Sequence, residues 1–370
     1  MATEWLPENK YNSFNSFKGL AYYEHYKKIV GWLDDKNPLP PPIEVNLDPY
    51  AECNISCYFC ITQRYLKHHR AEVGEMRKLP AGYMHRLVDF LADWGVKGLC
   101  VSGGGEASLH EATPEILNHA DGRGMKVSLF TNAVNISDRL MHEVMKCQWI
   151  TISVDAGDRE TYERVKGRDK FDQVVANIKK LANFRQDIYE VMLTWCSLVL
   201  PENLYSLHEQ CKVAKESGAQ VFRVRPVDFE RCDIEGHRKL PIDVEAVKEQ
   251  FERCHEEETS DFKVYTTTHK FDENFHVAHR FKKCMATPLL LPILTDGNGY
   301  LCVDHKMEAK YRLGSAYPNP KQILEWWGSD AHRDMMQSAD INGCSRCTFG
   351  EYHRQISEVV MEDRLCLSFP

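Results

Sequence analysis

Nowhere in the 370 residues does an apolar run approach the roughly 20 residues that a membrane-crossing helix needs. The opening segment MATEWLPENKYNSF lacks the basic flank and the apolar core of a secretion signal. No membrane association is therefore expected, and a cytoplasmic setting is. Basic charge is also in short supply: 46 Lys and Arg stand against 54 Asp and Glu, a net −8. That balance argues against a general binder of nucleic-acid phosphates. No internal repeat and no extended low-complexity tract is found. A chain of this length with 43% apolar content has room for one large domain and a smaller one, each with an ordinary core.

Cysteine, by contrast, is plentiful. Fourteen cysteines without a secretion signal point to thiol or metal chemistry in a reducing compartment and not to a disulfide framework. Seven fall into two groups with ligand spacing. The others, Cys100, Cys147, Cys196, Cys211, Cys232, Cys254 and Cys366, are scattered, and each reads first as a small buried apolar residue.

The first group is Cys53-Asn54-Ile55-Ser56-Cys57-Tyr58-Phe59-Cys60. Three thiolates at C-x3-C-x2-C can close on one face of an iron–sulfur cubane and leave one iron open to another ligand. Structural zinc wants four protein ligands, and no nearby Cys or His completes such a set at finger-like spacing.

Residues 1–42 read as an N-terminal helical extension that packs as an arm, closed by the stiff run Pro38, Pro40, Pro41 and Pro42. From Ile43 short apolar runs alternate with helix-period segments. The expected strands are 43–47, 98–101, 126–130, 149–154, 191–199 and 221–224. Met84, Leu87, Val88, Leu91 and Trp94 mark one helix face, Val174, Ile178 and Leu181 another, and Leu204, Leu207, Cys211 and Ala214 a third. Parallel neighbours need long right-handed crossovers, so six strand–helix units over residues 43–260 predict an α/β fold, a partial (β/α)6 TIM-like barrel. Barrel sites form at the C-terminal ends of strands, and the cysteine loop begins just after the first. The alternation is expected to stop at about residue 260, and residues 261–370 are expected to form a small separate domain.

In Ser102-Gly103-Gly104-Gly105-Glu106, after the second expected strand, glycines let backbone approach a ligand and the carboxylate suits an ammonium group. The cysteine loop with Phe59 at its aromatic position, followed by this Gly-Gly-Glu, resembles the radical S-adenosylmethionine (SAM) superfamily. The resemblance implies that Cys53, Cys57 and Cys60 hold a [4Fe–4S] cluster whose open iron chelates SAM. It assigns Gly104, Gly105 and Glu106 to the SAM amino group, and it suggests Asn132, Ser153, Asp155 and Arg225 for the ribose and the carboxylate.

The second group is Cys284, Cys302, Cys344 and Cys347. Spacing alone leaves zinc and a cluster both open. The pattern is similar to the twitch, or shortened SPASM, extension of radical SAM enzymes, which implies a second, fully ligated [4Fe–4S] cluster. No further cysteines follow at the spacing of a complete SPASM domain. Asp296-Gly297-Asn298-Gly299 signals a hairpin expected to bring Cys284 and Cys302 onto facing strands.

The layout is similar to the twitch dehydrogenases that oxidise 2-deoxy-scyllo-inosamine. That implies oxidation of a carbohydrate or aminocyclitol alcohol, with a flavodoxin or ferredoxin-type electron donor. The alternatives are a sugar or peptide epimerase using Cys232 or Cys196 as hydrogen donor, a peptide-modifying enzyme, and a metal-binding interaction protein. His305, Asp304, Arg223, Glu230 and His353 are polar groups to which the sequence assigns no direction.

Overall fold

The computed structural model describes residues 16–62, 76–185, 189–226, 242–266, 271, 275, 278–344 and 347–361. Strands and helices alternate from Glu44. They run β1 (Glu44–Leu47), α2 (Ala81–Trp94), β2 (Gly98–Val101), α3 (Thr113–Gly122), β3 (Lys126–Thr131), α4 (Asp138–Val144) and β4 (Trp149–Ser153). Then come α5 (Arg159–Lys166), α6 (Phe171–Arg185), β5 (Met192–Val199), α7 (Leu207–Glu216), β6 (Val221–Pro226), α8 (Val244–His255) and β7 (Lys263–Thr266). Before them lies α1 (Tyr23–Leu33), and after them β8 (Leu290–Ile293), β9 (Asn298–Tyr300) and β10 (Arg312–Ser315).

The helices start and stop on local chemistry. Asp158 caps α5 by accepting from Thr161 N at 2.8 Å, and Ser137 caps α4 by accepting from Leu140 N at 3.2 Å. Gly95 ends α2 at φ 103°, a left-handed conformation that glycine takes without strain. The helix buries Met84, Leu87, Val88 and Leu91 as the periodicity predicts, and Tyr83 as well, while Trp94 of the expected face is half-buried.

Among the described residues the strands form one sheet in the order β10-β9-β8-β1-β2-β3-β4-β5-β6-β7. Every pair from β8 through β1 to β7 is parallel, and β9 and β10 are antiparallel additions. The α/β fold with a parallel sheet core is thus the one expected, and all six anticipated strands are present with ends shifted by no more than two residues. The sheet also runs past residue 260 in both directions. β7 adds a seventh parallel strand, and β8 returns to the opposite edge beside β1, pairing Glu44 with Leu290 through Leu47 with Ile293.

The two faces of the sheet differ in chemistry. One set of alternate residues, including Val45, Leu47, Leu99, Val101, Ile150, Ile152, Phe222 and Val224, is buried with the helices in the main core. The other set includes Asn46, Ser102, Ser128, Thr151, Ser153, Cys196, Arg223 and Arg225, and it forms a polar inner face. A TIM-like barrel packed only for stability fills that face with branched apolar side chains; this one keeps it polar.

The N-terminal arm packs against the C-terminal segment. Trp32 Nε1 donates to Gly328 O at 2.8 Å, Trp327 Nε1 donates to Pro40 O at 2.9 Å, and Tyr26 donates to Gln355 Oε1 at 3.0 Å. Among the described residues no helix is long and apolar enough to cross a membrane.

Two imidazoles are built into this packing as neutral acceptors. His332 Nδ1 accepts from Gly328 N at 3.1 Å, and His353 Nδ1 accepts from Met285 N and Ala286 N at 2.8 and 2.9 Å. Burial lowers their pKa values to about 4 and about 3. Because the folded values lie below the unfolded one, this stability is complete above about pH 6.5 and is lost as pH falls below it, by up to about 1.4 kcal/mol per pH unit for each group. Denaturant midpoints are expected to fall over that window, and His353→Gln is expected to flatten the slope by about one proton.

Candidate functional site

The cysteine loop hangs from the C-terminal rim of the sheet by backbone bonds. Gly105 N donates to Tyr50 O and Glu106 N to Glu52 O, both at 2.8 Å, which ties the glycine turn after β2 to the chain leading into Cys53. At the far side Ser56 N donates to Lys166 O at 2.8 Å, and Cys60 N closes a turn onto Cys57 O at 3.1 Å. Two glycines permit these approaches. A Cβ on Gly105 would lie 2.1 Å from Glu52 O, and one on Gly167, which sits at φ 65°, would lie 2.9 Å from Ser56 O. Phe59 is turned into an apolar pocket with Val165 and Leu200, so its ring anchors the loop to the fold. Tyr58 donates to Glu202 Oε2 at 2.6 Å.

The three thiols sit close enough to act on one another. Burial first, with the neighbouring thiols adding to it, raises Cys53 and brings Cys57 up to about 12. Binding to iron therefore displaces protons.

Glu106 has partners within the protein that its motif does not announce. Its buried carboxylate accepts from Ser108 N at 3.0 Å, Thr131 Oγ1 at 2.6 Å and Asn132 N at 2.7 Å. It therefore braces the ends of β2 and β3 together, a role that its place in Gly-Gly-Glu does not suggest. Asn132 continues the brace, donating to Asn54 Oδ1 at 2.7 Å and to Cys53 Sγ at 3.6 Å. Gly104 stands beside Met307, Thr62 and Asp48.

Asp155 is likewise engaged within the protein. At φ 61° it turns its carboxylate onto Lys166 Nζ and accepts from Leu198 N at 2.7 Å, while Asn203 holds its carbonyl at 2.9 Å. The side chains of this ion pair are 2% and 4% exposed. The Lys166 ammonium lies 5.5 Å from the Phe59 ring centre and lowers the cost of a thiolate at Cys57. Sequence reading missed Lys166, because nothing about a lysine at a helix end announces that it is buried. It also missed Asp48, which is bridged to Lys306 Nζ at 2.7 Å and to Ser102 Oγ at 2.6 Å. That network joins the C-terminal segment to the rim of β1 and β2. Ser153 and Arg225 lie on the inner face, at the ends of β4 and β6. So does Cys196, in register with Ser153 and Arg223. Cys232 and Glu230 lie outside the described residues.

The second group of cysteines gathers beside the β8–β9 hairpin. Gly297 makes that turn at φ 74°, but Cys284 precedes β8 and Cys302 follows β9, so the two flank the hairpin and are not carried on its strands. Cys302 Sγ accepts from Asp304 N at 3.3 Å, and Cys344 Sγ lies 3.1 Å from His305 Nε2. Asp304 in turn accepts from Thr348 N at 2.6 Å, just past Cys347. Burial pushes Cys284 up to about 12 and Cys302 well above the usual thiol range. Cys344 adds to the rise at Cys284, as Cys347 and Cys284 do at Cys302. Burial disfavours charge on His305, yet Cys344 and Glu308 outweigh it and bring the imidazole up to about 9. His353, satisfied by two backbone donors, is a structural residue.

Among the described residues no three His, Cys, Asp or Glu groups converge on a point that would hold a single metal ion. In both cysteine groups the donors are thiols, half-buried or buried, with nitrogen donors near the sulfurs of Cys53, Cys302 and Cys344. Such a set fits an iron–sulfur cluster, which binds each thiolate through a different iron.

Residues 47–198 match the Radical SAM superfamily. The antilisterial bacteriocin subtilosin biosynthesis protein AlbA of Bacillus subtilis (strain 168) is 24% identical over 217 residues, 55% of this chain and 46% of that protein. A probable GTP 3′,8-cyclase of Metallosphaera sedula is 32% identical over 136 residues, 35% of this chain and 40% of that protein. The chain thus spans a little under half the length of the curated relatives it matches. Among solved structures, Streptococcus suis SuiB bound to precursor peptide SuiA has the same fold, with a TM-score of 0.64 at 16% identity over 85% of this chain and 70% of that one.

The Asp155–Lys166 pair gives a direct test of how the loop is held. Lys166→Met leaves a buried carboxylate without its cation and is expected to cost about 3–5 kcal/mol in denaturant unfolding, whereas Asp155→Leu combined with Lys166→Met recovers much of the loss.

Proposed function

We propose that this chain, whose residues 47–198 match the Radical SAM superfamily, is a radical SAM enzyme that modifies a peptide. That match implies SAM and one [4Fe–4S] cluster. The observation that carries the substrate reading is the extent of the fold shared with SuiB in its complex with a precursor peptide. It covers 85% of this chain, far more than residues 47–198, and so reaches into the segment with the second cysteine group. AlbA, a bacteriocin biosynthesis protein by name, supports the same class. The cyclase match involves about a third of the chain and does not speak to the remainder. The carbohydrate or aminocyclitol alcohol suggested by ligand spacing gives way to a peptide on this ground.

When bound on Cys53, Cys57 and Cys60, the cluster would supply the electron that cleaves SAM to methionine and a 5′-deoxyadenosyl radical, which takes a hydrogen atom from the substrate. The chain's own residues hold the parts. Asn132 fixes Cys53 and Asn54, and Phe59 locks the loop. Lys166 keeps positive charge under Cys57. The backbone of Gly103 to Gly105, with Ser153 and Arg225, would line the SAM pocket. The Glu106 and Asp155 carboxylates would act by positioning those elements. Cys284, Cys302, Cys344 and Cys347 would hold a second cluster with no open iron, suited to passing electrons. A flavodoxin or ferredoxin-type donor would deliver the first electron.

Epimerisation is a second reading, favoured by one observation: Cys196 lies on the inner face, in register with Ser153. Turnover in deuterated water separates the two. Deuterium fixed at a substrate carbon supports a thiol donor, and its absence with a two-electron oxidised product supports net oxidation.

Anaerobically reconstituted protein is expected to carry about eight irons, two four-iron clusters. Changing Cys53, Cys57 and Cys60 to Ala is expected to halve the iron and abolish 5′-deoxyadenosine formation from SAM and reductant. Stoichiometric zinc without iron would contradict the proposal.

A further inference from the structure

The inner face of the sheet has an uneven charge distribution. Three acids sit at its C-terminal rim, and each is satisfied within the protein. Asp48 pairs with Lys306, with 1% of its side chain exposed. Asp155 pairs with Lys166. Glu106 accepts three hydrogen bonds. Among the described residues none of them is bonded to Arg223.

Arg223 lies in the middle of β6, between Phe222 and Val224, which point to the core. Its own side chain therefore points to the inner face. In register it sits beside Cys196 on β5 and Tyr265 on β7. Its contacts among the described residues are a sulfur and a ring: Nη2 lies 3.6 Å from Cys196 Sγ, and the guanidinium stands 6.0 Å from the centre of the Phe130 ring. Nε is buried and, among the described residues, has no hydrogen-bond partner. A guanidinium carries a permanent charge and five donors in a planar fork. Holding one half-buried against a sulfur and a phenyl ring, with a donor unmet, costs free energy that an arriving anion would offset. The fork matches a carboxylate in two-point contact.

We propose that Arg223 anchors an anionic subsite on the inner face, which takes a carboxylate of the peptide substrate, either an Asp or Glu side chain or a free C-terminus. This rests on the reading of the chain as a peptide-modifying SAM enzyme. The subsite is separate from the position of Arg225, one inner-face step nearer the rim. Phe130 and Cys196 form its walls.

The test uses reconstituted protein saturated with SAM and without reductant, so that no turnover occurs. Two random libraries of short peptides are offered, one amidated at the C-terminus and one with free carboxylates, and the captured peptides are sequenced. Wild type is expected to enrich acidic side chains about tenfold from the amidated library, or to prefer the free-acid library by a similar factor, which corresponds to about 1.4 kcal/mol. Arg223→Gln is expected to lose that preference while keeping its iron and its affinity for SAM. Arg223→Lys is expected to keep part of it, and Arg223→Glu is expected to select Lys and Arg. Equal selection by wild type and Arg223→Gln would overturn the subsite. So would loss of SAM binding in Arg223→Gln, since the anion would then be that of SAM. Wild type that binds no SAM would instead remove the functional reading beneath it.

Discussion

Everything in this molecule that bears on chemistry depends on how an eight-residue cysteine loop is suspended from the end of a parallel sheet. Loops without regular structure do not hold three thiols at fixed spacing unaided. Here the loop's backbone is bonded on one side to the glycine turn after β2 and on the other to the last carbonyl of α5. Both attachments require a residue without a side chain at the point of approach, Gly105 in one case and Gly167 in the other. Beneath the loop lies the buried Asp155–Lys166 pair, which is favourable only while both partners are present. The sheet supplies rigidity, and the glycines supply access.

The sequence made the sheet legible because its outer-face residues are apolar at every second position and its helices repeat at 3.6. The strands carrying Val45 and Leu47, Leu99 and Val101, and Ile150 and Ile152 were legible as short apolar runs between helix-period segments. β7 went unread because Lys263-Val264-Tyr265-Thr266 is short and half polar. β8 went unread because a strand that pairs across some 240 residues of intervening chain, Glu44 to Leu290, leaves no local trace. The site was legible to the level of residue type. Cysteine spacing marks ligands and glycine runs mark close approaches, since both patterns are local. The partners of Glu106, Asp155 and Asp48 were not, because each is set by a contact between distant elements: Thr131 and Asn132 for the first, Lys166 and Leu198 for the second, Lys306 for the third.

These contacts change the meaning of the acidic residues. Glu106 and Asp155, read from sequence as ligand contacts, also brace distant elements, as does Asp48, which sequence reading did not single out. Asp48 and Asp155 are each paired with a lysine, and Arg223 and Arg225 stand on the inner face at β6. The C-terminal segment adds to the same site from the other edge of the sheet. It contributes β8 to the barrel, Lys306 to the rim of β1 and four cysteines to a second pocket, so that both cysteine groups share one continuous sheet.

The central claim is that the first cysteine group leaves one iron open to SAM while the second is closed by four thiolates. Electron paramagnetic resonance of the reduced, reconstituted protein, with and without SAM, tests it most directly. The account predicts two cluster signals, one of which changes its g values on addition of SAM and vanishes in Cys57→Ala, while the other is indifferent to both. Two signals that ignore SAM, or a SAM-sensitive signal that survives loss of Cys57, would contradict it.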